Sequence, residues 1–164
     1  MNIAQITLAA QEIVWVLDDY ATDSTREREV RIDAVLYAYL QAKFARMSRQ
    51  HYVYMSNRPR PQRIDFRHGG PNPVVKEFVH RYRHGSVLYG SQNTKELRKL
   101  TRVRASQARL RVLLLLDSAE RPIPRRNLET SYQERNSGRG NFERHPVRVI
   151  YVHRESAYNF VWNN

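Results

Sequence analysis

Apolar residues recur at helical spacing through the first forty positions and at alternate or consecutive positions after that. Residues 3–20 carry Ile3, Ile6, Leu8, Ala9, Ile13, Val14 and Leu17, mostly three or four apart, which predicts a first helix. Asp18 and Asp19 near its end run against the helix dipole. Asp23-Ser24-Thr25 is a capping cluster and opens a second helix from Arg26 to about Phe44. Val30, Ala34, Tyr37 and Gln41 form one stripe of that helix, and Val35, Tyr39 and Ala42 form the next.

The period then changes. His51-Tyr52-Val53-Tyr54-Met55-Ser56 is rich in strand formers and is broken by Asn57-Arg58-Pro59-Arg60-Pro61. Arg63-Ile64-Asp65-Phe66-Arg67 alternates in period two. Gly69-Gly70-Pro71-Asn72-Pro73 makes a turn into a third strand, Val74 to Tyr82. Short turns between three strands imply an antiparallel meander. Ser91-Gln92-Asn93-Thr94 caps a helix from Lys95 to about Val103, with Leu97 and Leu100 inward. Arg109–Asp117 contains five consecutive apolar residues, Val112 to Leu116, and reads as a buried strand parallel to a neighbour. A short helix at 124–136, a loop at 138–146 and strands at 147–152 and 157–162 complete the chain. The order α-α-β-β-β-α-β-α-β-β predicts an α/β protein with a mixed sheet flanked by helices, a single domain over residues 1–164.

Charge changes the picture more than composition does. The 164 residues carry a formal net charge of +12, with 24 of the 28 basic residues being Arg. Residues 1–57 hold six Lys/Arg against seven acids, whereas residues 58–164 hold 22 against nine. A field so one-sided favours phosphate backbones, and Arg forks phosphate well. A solvated surface from an Arg-rich background is the plainer alternative. Without cysteine there is no disulfide framework and no thiolate metal site. No apolar run is long enough to span a bilayer, and Met1–Ile3 lacks the start of a signal peptide. The expectation is a cytoplasmic protein, or a nuclear one in a eukaryote, that binds nucleic acid and no membrane.

Asp65, between Ile64 and Phe66, and Glu77, between Lys76 and Phe78, lie on adjacent predicted strands. A hairpin brings the two carboxylates together, where they repel unless a cation sits between them. Oxygen ligands of this kind suit Mg²⁺ or Mn²⁺ with water and substrate phosphate, and such a metal activates water for phosphodiester attack. The competing reading pairs the acids with Arg63, Arg67 or Arg81. The six histidines form no His-Glu-x-x-His arrangement, although His68 adjoins the Gly-Gly turn near Asp65. Asp117 at the end of the buried strand reads as a turn cap or a functional acid. The Gly85–Gln92 loop enters a helix without a Walker ending. Tyr82, Tyr89, Tyr132, Tyr151, Tyr158, Phe160 and Trp162, interleaved with Arg, suit either base stacking or strand packing.

A helix bearing an acid, a three-strand meander with Asp on the second strand and Glu on the third, then a helix and a buried strand, resembles the PD-(D/E)xK nuclease superfamily over about residues 24–118. The resemblance implies a restriction-endonuclease-like αβββαβ core, here with an extra N-terminal helix and two C-terminal strands from residues 119–164. It implies a Mg²⁺- or Mn²⁺-dependent nuclease, with Asp65 and Glu77 as metal ligands and Glu29, or Glu27, as the acid of the first core helix. Arg63, Arg67, Arg81, Arg83, Gln92, Lys95, Arg98, Lys99 and Arg102 would then engage the nucleic acid, DNA in preference to RNA. The motif's lysine belongs two positions after the acid, and Val79 stands there. Arg81 on the same strand face could supply fixed charge but not a base, and Lys95 could enter from the next helix. Failing both, the chain is a non-catalytic nucleic-acid-binding or assembly subunit. So small a nuclease would act as a homodimer or inside a larger complex.

Overall fold

The computed structural model describes the backbone of residues 1–19, 25–56, 58–83, 88–136 and 138–163, and the side chains of these except 18, 19, 25–31, 82 and 83. Among the described residues, four helices and six strands follow the predicted order: α1 (Ile3–Asp19), α2 (Thr25–Lys43), β1 (Met47–Val53), β2 (Gln62–His68), β3 (Val74–Arg83), α3 (Thr94–Thr101), β4 (Leu110–Ala119), α4 (Arg125–Gln133), β5 (Val147–His153) and β6 (Ser156–Trp162). The strands form one mixed sheet in chain order. β1, β2 and β3 run antiparallel, β3, β4 and β5 run parallel, and β6 returns antiparallel. Among the described residues, no helix is long and apolar enough to cross a membrane.

The helices divide between the two sheet faces because successive residues of β4 point opposite ways. Val112, Leu114 and Leu116 pack with Ile6, Ile13 and Leu17 of α1 and with Ile32, Leu36 and Leu40 of α2. Leu113 and Leu115 pack with Leu97 and Leu100 of α3 and with Leu128 and Tyr132 of α4. Such two-sided burial explains why β4 reads as a continuous apolar run. At the start of α1, Gln5 N donates to Asn2 Oδ1 and Asn2 N donates to Gln5 Oε1, a reciprocal capping box.

Three expectations need correction. The buried face of α2 is Ile32, Leu36 and Leu40, while Ala34, Gln41 and Ala42 of the expected stripes are exposed, because docking on β4 and α1 rather than spacing alone selects the face. The first strand begins at Met47, not His51, because its polar half is held by pairing with β2 rather than by apolar alternation. Residues 54–56 instead run beside the segment that follows α3: Met55 bridges Val103, Ser56 N donates to Arg102 O, and Arg104 N donates to Tyr54 O. The predicted cap of α3 also differs. Asn93 occupies the N-cap position without a side-chain cap bond, because its amide donates to Tyr89 O and the Tyr132 hydroxyl.

The ribbon of β1 and β2 turns over partway along. Met47 and Val53 share strand parity yet belong to opposite cores, as do Phe66 and Ile64. The reversal falls at Gln50, whose φ is 54°, between the Arg49↔Phe66 and His51↔Ile64 rungs. There β2 leaves β3: their last paired rung is Phe66↔Lys76. Asp65 and Glu77 are the first residues beyond it.

Candidate active site and basic groove

Where β2 parts from β3, the Phe78 amide loses its ladder partner and donates to Asp65 Oδ2 at 3.0 Å. Glu77 points to the α3 side and is only 3% exposed. Lys99 of α3 places its Nζ 2.5 Å from Glu77 Oε1 and donates to the Arg63 carbonyl at 3.2 Å. Burial first, and then the negative Asp65 with which it shares a hydrogen bond, push the Glu77 carboxyl up to about 9, against the pull of Lys99. A carboxyl so displaced holds a proton at neutral pH unless another cation takes its place.

A third acid stands near on α2. Asp33 is buried, and Arg49 Nε donates to its Oδ2 at 2.5 Å. Burial raises the Asp33 pKa against Arg49, and Asp65 adds to the rise. Asp33 Oδ1 receives no hydrogen bond from a described group. Among the described residues, no three His, Asp or Glu side chains gather closely enough to hold a metal. The Asp65–Glu77 pair fits the smaller donor set of Mg²⁺ or Mn²⁺, which takes one or two carboxylates and completes its shell with water and phosphate.

The sequence-predicted residues distribute unevenly around this pair. Asp65 and Glu77 come together as the hairpin implied. Glu29 is in α2, but its side chain lies outside the described residues, as does that of Glu27. The α2 acid whose charge Asp65 feels is Asp33, one turn further on, which sequence reasoning passed over. The lysine that meets Glu77 is Lys99 rather than Lys95; the two are four apart on one face of α3, and the helix carries the later one over β2 and β3.

Arg81 does not take the lysine's place. Its Nε and Nη2 fork onto the Asp117 carboxylate at 2.7 and 2.5 Å, and Asp117 holds the guanidinium pKa up against the downward pull of burial. Asp117 also accepts from the Tyr151 hydroxyl and the Ala119 amide, so this buried acid knits the strand ends, with the turn-cap role included. His68 pairs with Met47 and Val74 at the far end of the ladder from Asp65. Arg63 is exposed beside the pair, Arg67 is half-buried on β2, and the Arg83 side chain lies outside the described residues.

Lys99 is also one wall of a groove of about 450 Å³. Gln92, Lys95, Arg98 and Arg102 continue that wall, and Met55 and Arg58 from the β1–β2 connection form the other with Gln62 at the start of β2. Among the described residues, five cations line it and no acid does. Burial, and then the charges of Arg98, Arg144 and Arg58, hold Arg102 below its ordinary range. Such mutual repulsion is relieved by an anion. Phe142 lies between the Arg102 and Arg144 guanidiniums, 4.4 and 4.2 Å from its ring.

Most aromatic candidates for base stacking turn out to be core. Tyr132, Tyr151 and Trp162 are buried, and Tyr89, Tyr158 and Phe160 pack against them. The Tyr82 side chain lies outside the described residues. Strand alternation turns Tyr151, Tyr158, Phe160 and Trp162 inward and Tyr132 faces inward from α4, and sequence spacing alone does not tell which face is covered. Comparison of the chain with family models, curated proteins and solved structures finds no match.

Proposed function

We propose that the chain is a divalent-metal-dependent phosphodiesterase acting on nucleic acid, built on a restriction-endonuclease-like core. The observation that carries this reading is the meeting of Asp65, Glu77 and the Lys99 ammonium at the point where β2 leaves β3. The order α2-β1-β2-β3-α3-β4, with three antiparallel strands followed by a parallel fourth, agrees with what the PD-(D/E)xK resemblance implies. The lysine missing at Val79 is supplied from α3 instead.

Asp65 and Glu77 would hold Mg²⁺ or Mn²⁺ in place of the proton that Glu77 otherwise retains. A bound ion supplies Lewis acidity and a water of lowered pKa. Lys99, fixed by the Arg63 carbonyl, presents positive charge where a phosphodiester gains negative charge in its transition state. The five-cation groove beside it positions the phosphate chain without reading sequence.

The test is cleavage of labelled DNA and RNA, single- and double-stranded, with Mg²⁺ or Mn²⁺. Asp65→Ala, Glu77→Ala and Lys99→Ala should each lower cleavage by about a hundredfold or more, while salt-sensitive binding persists. Binding without cleavage by the wild type would overturn the enzyme and leave a nucleic-acid-binding subunit.

A further inference from the structure

Helix α1 is apolar on two sides, and the core uses one of them. Ile6, Ala10, Ile13 and Leu17 are buried over the sheet, whereas Leu8 and Trp15 are each 60% exposed. At 3.6 residues per turn the exposed pair stands about 180° from the centre of the buried set. The two side chains therefore point away from the sheet and do not fringe the core. They are seven apart, two turns along the same side of the helix, and Ala4 is exposed one turn before them. A surface helix needs only one apolar face to dock on its own core.

Charge singles out the same helix. α1 holds Glu12, Asp18 and Asp19 and no Lys or Arg, in a chain of net charge +12. Glu12 is paired with Lys43 at 2.9 Å, which leaves the middle of the exposed side neutral. Asp18 and Asp19 fall in the last turn, at the negative end of the helix dipole, where a lone helix gains nothing from them.

We infer that the exposed side of α1 is a homodimer interface, in which two copies of the helix pair antiparallel about a two-fold axis between Gln11 and Glu12. That register sets Leu8 of each copy against the partner's Trp15. It also lays the last turn, with Asp18 and Asp19, along Ala4 and Gln5 of the other copy, in the first turn where the dipole is positive. A two-fold axis makes each of these contacts twice. A parallel pair would set the acidic ends together instead. Two copies of net charge +12 repel wherever their basic surfaces meet, and α1 alone of the four described helices carries no Lys or Arg. α1 and α3 cover opposite faces of the sheet, so pairing through α1 leaves both basic grooves open. The interface goes beyond the phosphodiesterase reading and does not depend on it.

Sedimentation equilibrium of the full chain from about 2 to about 200 µM tests this, since one helix pair is small for a specific interface and half-association is expected on the order of 10 µM. Leu8→Ser/Trp15→Ser should raise that constant at least about twentyfold and leave the circular dichroism spectrum unchanged, because both side chains face solvent in the monomer. Trp162 is already buried, so a blue shift of tryptophan emission with rising concentration should report the covering of Trp15. Orientation is read from single cysteines, the chain having none of its own. Oxidised Gln11→Cys should form a covalent dimer, because the two copies of that residue meet beside the axis. Ala4→Cys should not, because antiparallel pairing holds its two copies about 22 Å apart. A wild type that stays monomeric throughout that range would overturn the proposal and leave this side of α1 to a different protein. Dimers that persist undiminished in the Ser variant, or that cross-link through Ala4→Cys and not through Gln11→Cys, would overturn it as well.

Discussion

Replacing Glu77 with Gln should stabilise the metal-free protein while abolishing the proposed cleavage. Burial and the neighbouring Asp65 hold the Glu77 carboxyl at about 9 in the folded chain, against an ordinary value of 4.5. Between those two values the folded state binds one more proton than the unfolded state. Wild-type stability is therefore fully retained below about 4.5, falls as pH rises, and levels off above about 9, with a slope of up to about 1.4 kcal/mol per pH unit. From about pH 5 to about pH 8 the loss comes to about 4 kcal/mol. Gln stays neutral throughout, keeps the shape of the protonated acid and still offers Asp65 a donor. Part of the gain is given back because the amide replaces the carboxylic acid as the neighbour of Lys99, whose other acceptor is the Arg63 carbonyl. A net advantage of about 2 kcal/mol remains for the variant near pH 8. Urea unfolding in EDTA at several pH values measures it: the gap between variant and wild type should widen as pH rises. Mg²⁺ should raise the wild-type midpoint and leave the variant's unchanged, since only the wild type gains a native-state ligand. Two unfolding curves that stay parallel across that pH range would refute the reasoning, because Glu77 would then titrate alike in folded and unfolded chains.

Two further outcomes follow from groups away from the carboxylate pair. Lys76 is buried on the α1–α2 side, where among the described residues its ammonium meets the thioethers of Met1 and Met47, and burial lowers its pKa from 10.5 to about 7. Its depressed pKa makes wild-type stability fall as pH drops from 10.5 toward 7; Lys76→Met should therefore be more stable near pH 6, by up to about 4 kcal/mol, with the gap closing toward pH 10. A gap of equal size at both ends of that range would count against it. Asp117→Asn should cost about 3 kcal/mol, because Arg81 keeps a largely buried charge without its counter-ion. Thermal unfolding measures that loss, and cleavage per folded molecule should be unchanged; a stable but inactive Asp117→Asn would instead place this acid in the chemistry.

Much of the fold was legible in the sequence because local chemistry and tertiary packing agree. The helical stripe of α1, the turn at Gly69–Pro73 and the run Val112–Leu116 each record which faces are buried, whereas the stripes read for α2 missed its buried face of Ile32, Leu36 and Leu40. The order of elements followed from the change of period after Phe44, and the Asp65–Glu77 pairing followed from the tight turn between their strands. Sequence alone could not place the start of β1, since Met47–Gln50 is strand only by virtue of hydrogen bonds to β2. It could not choose between Lys95 and Lys99, or between Glu29 and Asp33, because residues one helical turn apart look alike until the helix is docked at a definite height over the sheet. Nor could it separate core from surface aromatics: Tyr132 faces inward from α4 and Tyr151 of β5 is buried in the same core, whereas Tyr52 and Tyr54 are exposed. Periodicity, turns and charge thus determined the elements, their order and the basic character of residues 58–164. The tertiary structure decided which acid and which lysine meet at the break between β2 and β3, because that meeting depends on strand register and helix docking, which arise only when distant segments pack together.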